Sequence, residues 1–380
     1  MTPRDVEAVL AQGVATGAAP GFSAAVVGQD GTVATFQAGG RGVADPAPMT
    51  ADTVFWIASC TKAIVSAAAL ELVARGRLAL DEPVGRLVPE LAAPLVLEGF
   101  DPDGTPRLRP AARPITLAAL LSHTSGLAYD FNSAEIVRWL EARGLNLMTA
   151  GCRSLPLLFE PGDDWRYGVG IDAAGLVIEA AAGRDLGEHL QETVFAPLGM
   201  ADTAFDPGAA QVARRAGLHA RLPDGGLAPL DPLGAMPPDM RGGGGLCSTA
   251  QDYARFLAAV LADDGGGVFS AETRARLRTP VRRGATLGDI RSVLPMMSRD
   301  FSPLPEGERG WTLGFLQNLA PLPGRRSAGS LAWAGLANCY YWADPERRMA
   351  GVLFAQLLPF ADPQVLDVFD AFERAVYARG

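Results

Sequence analysis

The sequence predicts a mixed α/β (α+β) protein: an antiparallel β-sheet, built from both ends of the chain and flanked by helices, with an all-helical subdomain inserted between its halves. Three observations predict it. Near the N-terminus, FSAAVVGQ (22–29) and TVATFQAG (32–39) flank Asp30–Gly31, a turn dipeptide suited to the twist of paired strands. After Pro280 the pattern changes, and WTLGFLQNL (311–319), SLAWAGLANCYYWA (330–343) and MAGVLFAQL (349–357) read as strands. Each end carries a helix. Residues 3–17 place Val6, Val9, Leu10 and Val14 on one side, and residues 362–380 turn Val365, Val368, Phe369 and Phe372 inward. These features assign 1–85 and 280–380 to one α/β subdomain and 86–279 to a mainly helical one with long loops, the active site lying between them.

The middle follows in order. Between Leu80 and Pro114, prolines and glycines break any period, so the stretch reads as a connection. ITLAALLSHTSGL (115–127) reads as a short helix stopped by a turn, followed by helices over Ala134–Arg143, Val169–Ala182 and Arg184–Phe195. Pro207–Gly243, rich in Pro and Gly, reads as surface loops, some rimming a pocket. Ser248 with Gln251 three residues later has the form of a capping box opening a helix, and another helix covers Ala271–Leu277.

The chemistry concentrates in FWIASCTKAIVSAAALEL (55–72). Ser59 and Lys62 stand three apart, so on a helix they share a face. The run is apolar on nearly every side, which places it in the interior and draws Lys62 in with it, where loss of water favours the neutral amine. A neutral amine beside a hydroxyl is a base beside a nucleophile. Composition sharpens the point, because of the 33 basic residues 32 are arginine and one is lysine. Arginine keeps its proton in proteins, whereas a desolvated lysine can give it up. Tyr167, in a turn leading into a helix, is a candidate proton shuttle, and the glycine after it permits a close backbone approach. Trp333-Ala334-Gly335 lies in an apolar strand whose small residues let backbone approach a substrate, and the N–H of Leu336 could join that of Ser59 as an oxyanion hole.

Other classes are disfavoured. A net charge of −9 and a pI near 5.0 argue against nucleic acid. No G-x-S-x-G elbow accompanies His123, His189 or His219, so a Ser-His-Asp triad on an α/β-hydrolase fold is not expected, and His123 reads as structural support for the Thr124–Gly126 turn. No metal or cofactor fingerprint occurs, and Gly242–Gly245 lacks the following Lys-Ser or Lys-Thr of a phosphate loop. The four cysteines are spread singly, as buried free thiols would be, and no apolar run has the length of a bilayer span, so a cytoplasmic protein without membrane attachment is expected.

Together Ser59-Cys60-Thr61-Lys62, LLSHTSGL, Tyr167, GGGGLCST and the late Trp333-Ala334-Gly335 resemble the serine β-lactamase and penicillin-binding-protein superfamily over nearly the whole chain. Trp-Ala-Gly in place of the usual Lys-Thr-Gly or His-x-Gly resembles its class C-like family VIII carboxylesterases. The resemblance implies a β-lactamase/transpeptidase-like fold with Ser59 as nucleophile, Lys62 as base and Tyr167 as second shuttle. It further implies the N–H groups of Ser59 and Leu336 as oxyanion hole, and Trp333, Ala334, Gly335, Tyr129 and Phe131 as substrate-binding residues. The expected reaction is hydrolysis of small neutral short- to medium-chain esters through a Ser59 acyl-enzyme, with no cofactor. The rivals are a β-lactamase or D-amino-acid peptidase, an acyltransferase using the same intermediate, and a non-catalytic binding relative. Two departures matter. Tyr167-Gly168-Val169 lacks the polar side chain that usually follows the motif tyrosine, and Trp333 removes the cation that would hold a substrate carboxylate.

Overall fold

Gly21–Val27 (β1) and Val33–Gly39 (β2) form the expected hairpin in the computed structural model, which describes residues 3–231, 234, 236–281, 287–304 and 307–378. Gly31 takes the turn at φ +81°, a conformation that costs glycine little. The central sheet is completed by Arg309–Trp311 (β3), Leu316–Asn318 (β4), Leu331–Gly335 (β5), Cys339–Asp344 (β6) and Met349–Phe354 (β7). Its order is β2-β1-β7-β6-β5-β4-β3, with every pairing antiparallel. The β1–β7 pairing therefore closes the N-terminal hairpin onto the C-terminal strands.

Both faces of the sheet are covered, and the alternation along β6 shows how. Trp342 packs against Phe369, Phe372 and Tyr377 of the C-terminal helix Pro363–Tyr377. Its indole crosses Gly351 on β7, where a Cβ would sit 2.0 Å from the ring. Tyr341, one residue earlier, faces the other way, 4.9 Å from the ring of Tyr253 on the helix Ala250–Leu261. The N-terminal helix Pro3–Ala15 packs beside the C-terminal one, Gly13 lying under Val368. The helix Thr61–Ala74 (α1 below) runs through the interior, buried at every residue from Thr61 to Leu70, against the helices Gly170–Ala182 (α2 below) and Ala271–Arg278.

Four local readings are corrected. Residues 311–319 are not one strand but β3 and β4 joined by a tight turn at Gly314 (φ +136°), whose added Cβ would lie 2.6 Å from Ser66 Cβ on α1. The turn packs on that helix and, Thr312 apart, is built of apolar residues and glycine, so it reads as part of one apolar run. Residues 330–343 fold as the hairpin β5–β6, turning at Asn338 (φ +56°). The presumed connection contains a further hairpin, Leu95–Phe100 with Pro106–Pro110, whose prolines lie at the strand ends. The cap of Ala250–Leu261 is Thr249, whose Oγ1 accepts from Asp252 N at 3.0 Å, while Ser248 pairs with Phe55 in a short ladder. Within 207–243 lie a short helix (Ala209–Val212), a two-strand ladder (His219–Arg221 with Leu227–Pro229) and a turn at Pro238–Met240; residues 232, 233 and 235 fall outside the described residues. No helix among the described residues is long and apolar enough to cross a membrane.

Candidate active site

Ser59 sits in the single turn Ala58–Cys60 that leads into α1, half-buried where the rest of that segment is closed off. Ala58 ahead of it is held at φ +44°, a left-handed conformation that costs a residue with a Cβ about 1–3 kcal/mol and persists only where packing enforces it. That packing comes from β5. A Cβ on Gly335 would lie 2.2 Å from the carbonyl oxygen of Ile57, so only glycine lets the strand end press so close. The contact brings Leu336, the residue after Gly335, and Ser59 to one cavity.

Lys62 is fully buried one turn along, and its Nζ has three oxygen partners. They are Ser59 Oγ at 3.1 Å, the Tyr129 hydroxyl at 2.8 Å and the Gly243 carbonyl at 2.6 Å. Behind them stands Asp172 on α2, itself buried. Its Oδ2 accepts from the Tyr129 hydroxyl at 2.9 Å and its Oδ1 from Gly243 N at 2.7 Å. Burial lifts the Asp172 carboxyl to about 6, against the opposing pull of Lys62 and the two donors. Burial first, and Asp172 second, push the Tyr129 phenol well above its usual range, so it stays a donor. The glycine run also finds its reason here: a Cβ on Gly243 would lie 2.1 Å from Asp172 Oδ2, and one on Gly242 2.6 Å from the Ile171 carbonyl.

Tyr167 borders the same cavity, its ring centroid 5.0 Å from Lys62 Nζ. Its hydroxyl accepts from Trp333 Nε1 at 3.2 Å. The LLSHTSGL stretch carries this tyrosine from behind. The His123 carbonyl accepts from Arg166 N at 2.9 Å, His123 Nδ1 accepts from Gly168 N, and the imidazole packs 4.8 Å from the Tyr167 ring. Burial, with Lys62 second, holds His123 well below its usual range, and hence neutral. Gly168 allows the approach, since a Cβ there would lie 2.1 Å from the Leu127 carbonyl.

The cavity has a volume of about 510 Å³, within the range of sites for small organic ligands. Trp56, Phe131, Ile290, Trp333, Phe360 and four methionines (148, 236, 240 and 297) line it. Among the described residues its only charged lining side chain is Asp130.

The structure thus gathers Ser59, Lys62, Tyr129, Phe131, Tyr167, Trp333, Ala334 and Leu336 around one space. Gly335 lies behind it, buttressing Ile57. Tyr129, expected among the substrate-binding residues, lines the cavity, and its hydroxyl oxygen also accepts from Lys62 Nζ. Asp172 belongs to none of the sequence motifs. Its signal was an acidic residue on the buried face of an otherwise apolar helix, GIDAAGLVIEAAA. Met236, Pro237 and Met240 come from the loop region expected to rim a pocket.

The beta-lactamase family model matches residues 6–374. A lovastatin esterase of Penicillium rubens is 33% identical over 369 residues, covering 87% of each chain. A monacolin J acid methylbutanoyltransferase of Aspergillus terreus is 35% identical over 356 residues, covering 87% of this chain and 84% of its own. Among solved structures, a variant of simvastatin synthase (LovD) from Aspergillus terreus superposes with a TM-score of 0.85 at 31% identity, covering 98% of this chain and 94% of its own. The chain belongs to the beta-lactamase family and is an enzyme of the serine hydrolase kind.

Proposed function

We propose that the protein is a serine carboxylesterase acting on neutral, apolar esters through a Ser59 acyl-enzyme. The observation that carries this reading is a Ser–Lys pair opening onto an apolar cavity with no cationic side chain among its described lining residues. Ser59 Oγ attacks the ester carbonyl carbon while its proton passes to Lys62 Nζ. The N–H groups of Ser59 and Leu336 hold the oxyanion, and the positive end of α1 adds to them. As the intermediate collapses, the C–O bond to the alcohol breaks and Tyr167 delivers the proton that the leaving group needs. Water then gives a proton to the base and attacks the acyl carbon, the bond from that carbon to Ser59 Oγ breaks, the free acid leaves and the proton returns to Oγ. Trp333 supplies apolar area where a carboxylate-binding member would place a cation, and Asp130 repels an anionic substrate. The four cysteines are buried and unpaired, which supports the cytoplasmic placement.

A second reading, acyl transfer to an alcohol, is favoured by two things: a cavity wide and apolar enough to admit an acceptor, and the transferase relative. One experiment addresses both. The enzyme is mixed with a panel of neutral aryl esters, the acyl-Ser59 adduct is sought by mass spectrometry, and products are counted with and without added alcohols. Free acid as the main product with alcohol present supports the esterase, and ester exchange as the main product supports the transferase. Undiminished turnover in Ser59→Ala, or an adduct on Cys60, refutes both.

A further inference from the structure

Lys62 has three oxygen partners, and they differ in what they can offer it. The Gly243 carbonyl can only accept. A phenol can donate or accept, but the Tyr129 proton is committed to Asp172 Oδ2 at 2.9 Å, so toward Lys62 its oxygen accepts. A neutral amine has two N–H bonds and one lone pair. In the structure the amine donates to all three oxygens, Ser59 Oγ included at 3.1 Å; once it gives up the proton that faces Ser59, its two remaining N–H bonds stay with Tyr129 and Gly243 and its lone pair is left facing Ser59 Oγ. Both of the groups that impose this orientation are held by one carboxylate, which accepts from Tyr129 on one oxygen and from Gly243 N on the other.

We infer that Asp172 is the positioning residue of the base: by holding Tyr129 and Gly243 it aims the Lys62 lone pair at the Ser59 hydroxyl. It touches no substrate and takes no proton from Ser59. Its two roles are to keep the Tyr129 hydroxyl turned away from the amine and to place a negative charge behind the ammonium that forms when Ser59 attacks. Without it, the Tyr129 O–H is free to donate into the lone pair and occupy the base. This rests on the Ser59–Lys62 reading above, and it assigns a member of the site that neither touches the cavity nor belongs to the sequence motifs.

The test compares Asp172→Asn, Tyr129→Phe and the double variant. The readouts are the rate at which a fluorophosphonate labels Ser59, kcat and KM for a neutral aryl ester, and thermal midpoints to establish folding. Asp172→Asn keeps the shape and one acceptor but can no longer accept from both partners. We expect it to slow labelling and kcat by about 10²-fold, the lower end of what general-base catalysis contributes, while KM moves little. Tyr129→Phe should fall in the same way. The double variant should be no worse than the poorer single one, because the two residues act as a unit. A merely structural Asp172 would instead lower the midpoint and give additive losses spread over KM and kcat. If wild-type Ser59 is not labelled, the functional reading itself fails. If it is labelled, and the folded Asp172→Asn protein labels within about twofold of wild type, the inference is overturned; should that variant not fold, the same result in Tyr129→Phe overturns it.

Discussion

The floor of the cavity and its wall are built from opposite materials. At the floor, Ser59, Lys62, Tyr129, Asp172 and Gly243 are joined in one hydrogen-bonded set. At the wall, Trp56, Phe131, Ile290, Trp333, Phe360 and four methionines present apolar surface, with Met148 and Met297 exposed by more than a third. Polar groups in the interior have few tolerable arrangements, because an unpaired one costs the full loss of its hydration. Apolar and thioether side chains can repack at little cost. If the function proposed above holds, the reaction belongs to the hydrogen-bonded floor and the range of substrates to the wall, which can repack.

The floor is broken most severely at Lys62. Lys62→Arg keeps the charge and most of the length, so an ion-pair role would survive it, but guanidinium cannot accept the serine proton. The folded variant should lose about 10²–10⁴-fold or more in kcat/KM, checked by steady-state kinetics beside its circular dichroism spectrum. Near-native activity would remove Lys62 from the base role.

Next comes Tyr167, where floor and wall meet. Tyr167→Phe deletes the hydroxyl that accepts from Trp333 Nε1 while conserving the ring packed on His123. Alkyl esters, whose leaving groups need a proton, should slow by about 10²-fold, and activated aryl esters should slow by less than that. Equal losses on the two classes would deny Tyr167 the leaving-group step.

Trp333 tests the wall. Trp333→Lys restores a cation, whose charge-assisted hydrogen bond to a carboxylate is worth about 1.5–3 kcal/mol. Relative kcat/KM for a carboxylate-bearing β-lactam against a neutral ester should rise by about tenfold or more, with ester turnover falling as the indole contact to Tyr167 is lost. If the wild-type enzyme already prefers a cephalosporin, the neutral-ester assignment fails at once.

The smallest effects belong to the methionines. Met236→Ala or Met297→Ala should raise KM for a bulky ester by about two- to fivefold, and for a short one hardly at all, as removal of adaptable apolar contact predicts. Equal shifts for long and short esters would mean that these side chains do not meet the substrate.

The contrast also explains what could be read in advance. The Ser59–Lys62 pair was legible because both residues lie on one helical turn, where a spacing of three fixes proximity before any tertiary contact exists. The central sheet was legible from Asp30–Gly31 and the late apolar runs, although turns at Gly314 and Asn338 divide two of those runs, and a single glycine or asparagine inside an apolar stretch is a weak turn signal. Tyr129, Asp172 and Gly243 were not legible as a set. They are separated by 43 and 71 residues and belong to a loop, a helix and a glycine run, so nothing local relates them.

By itself, then, the sequence determined the α/β class, the joining of the two chain ends in one sheet, and the Ser59–Lys62 pair, because each follows from short-range geometry or from hydrophobic period. Only the tertiary structure decided which groups surround the amine. Those depend on Gly243 and Gly335 letting backbone approach within distances that a Cβ would forbid. They depend also on a carboxylate buried deeply enough that every hydrogen bond it accepts must be made.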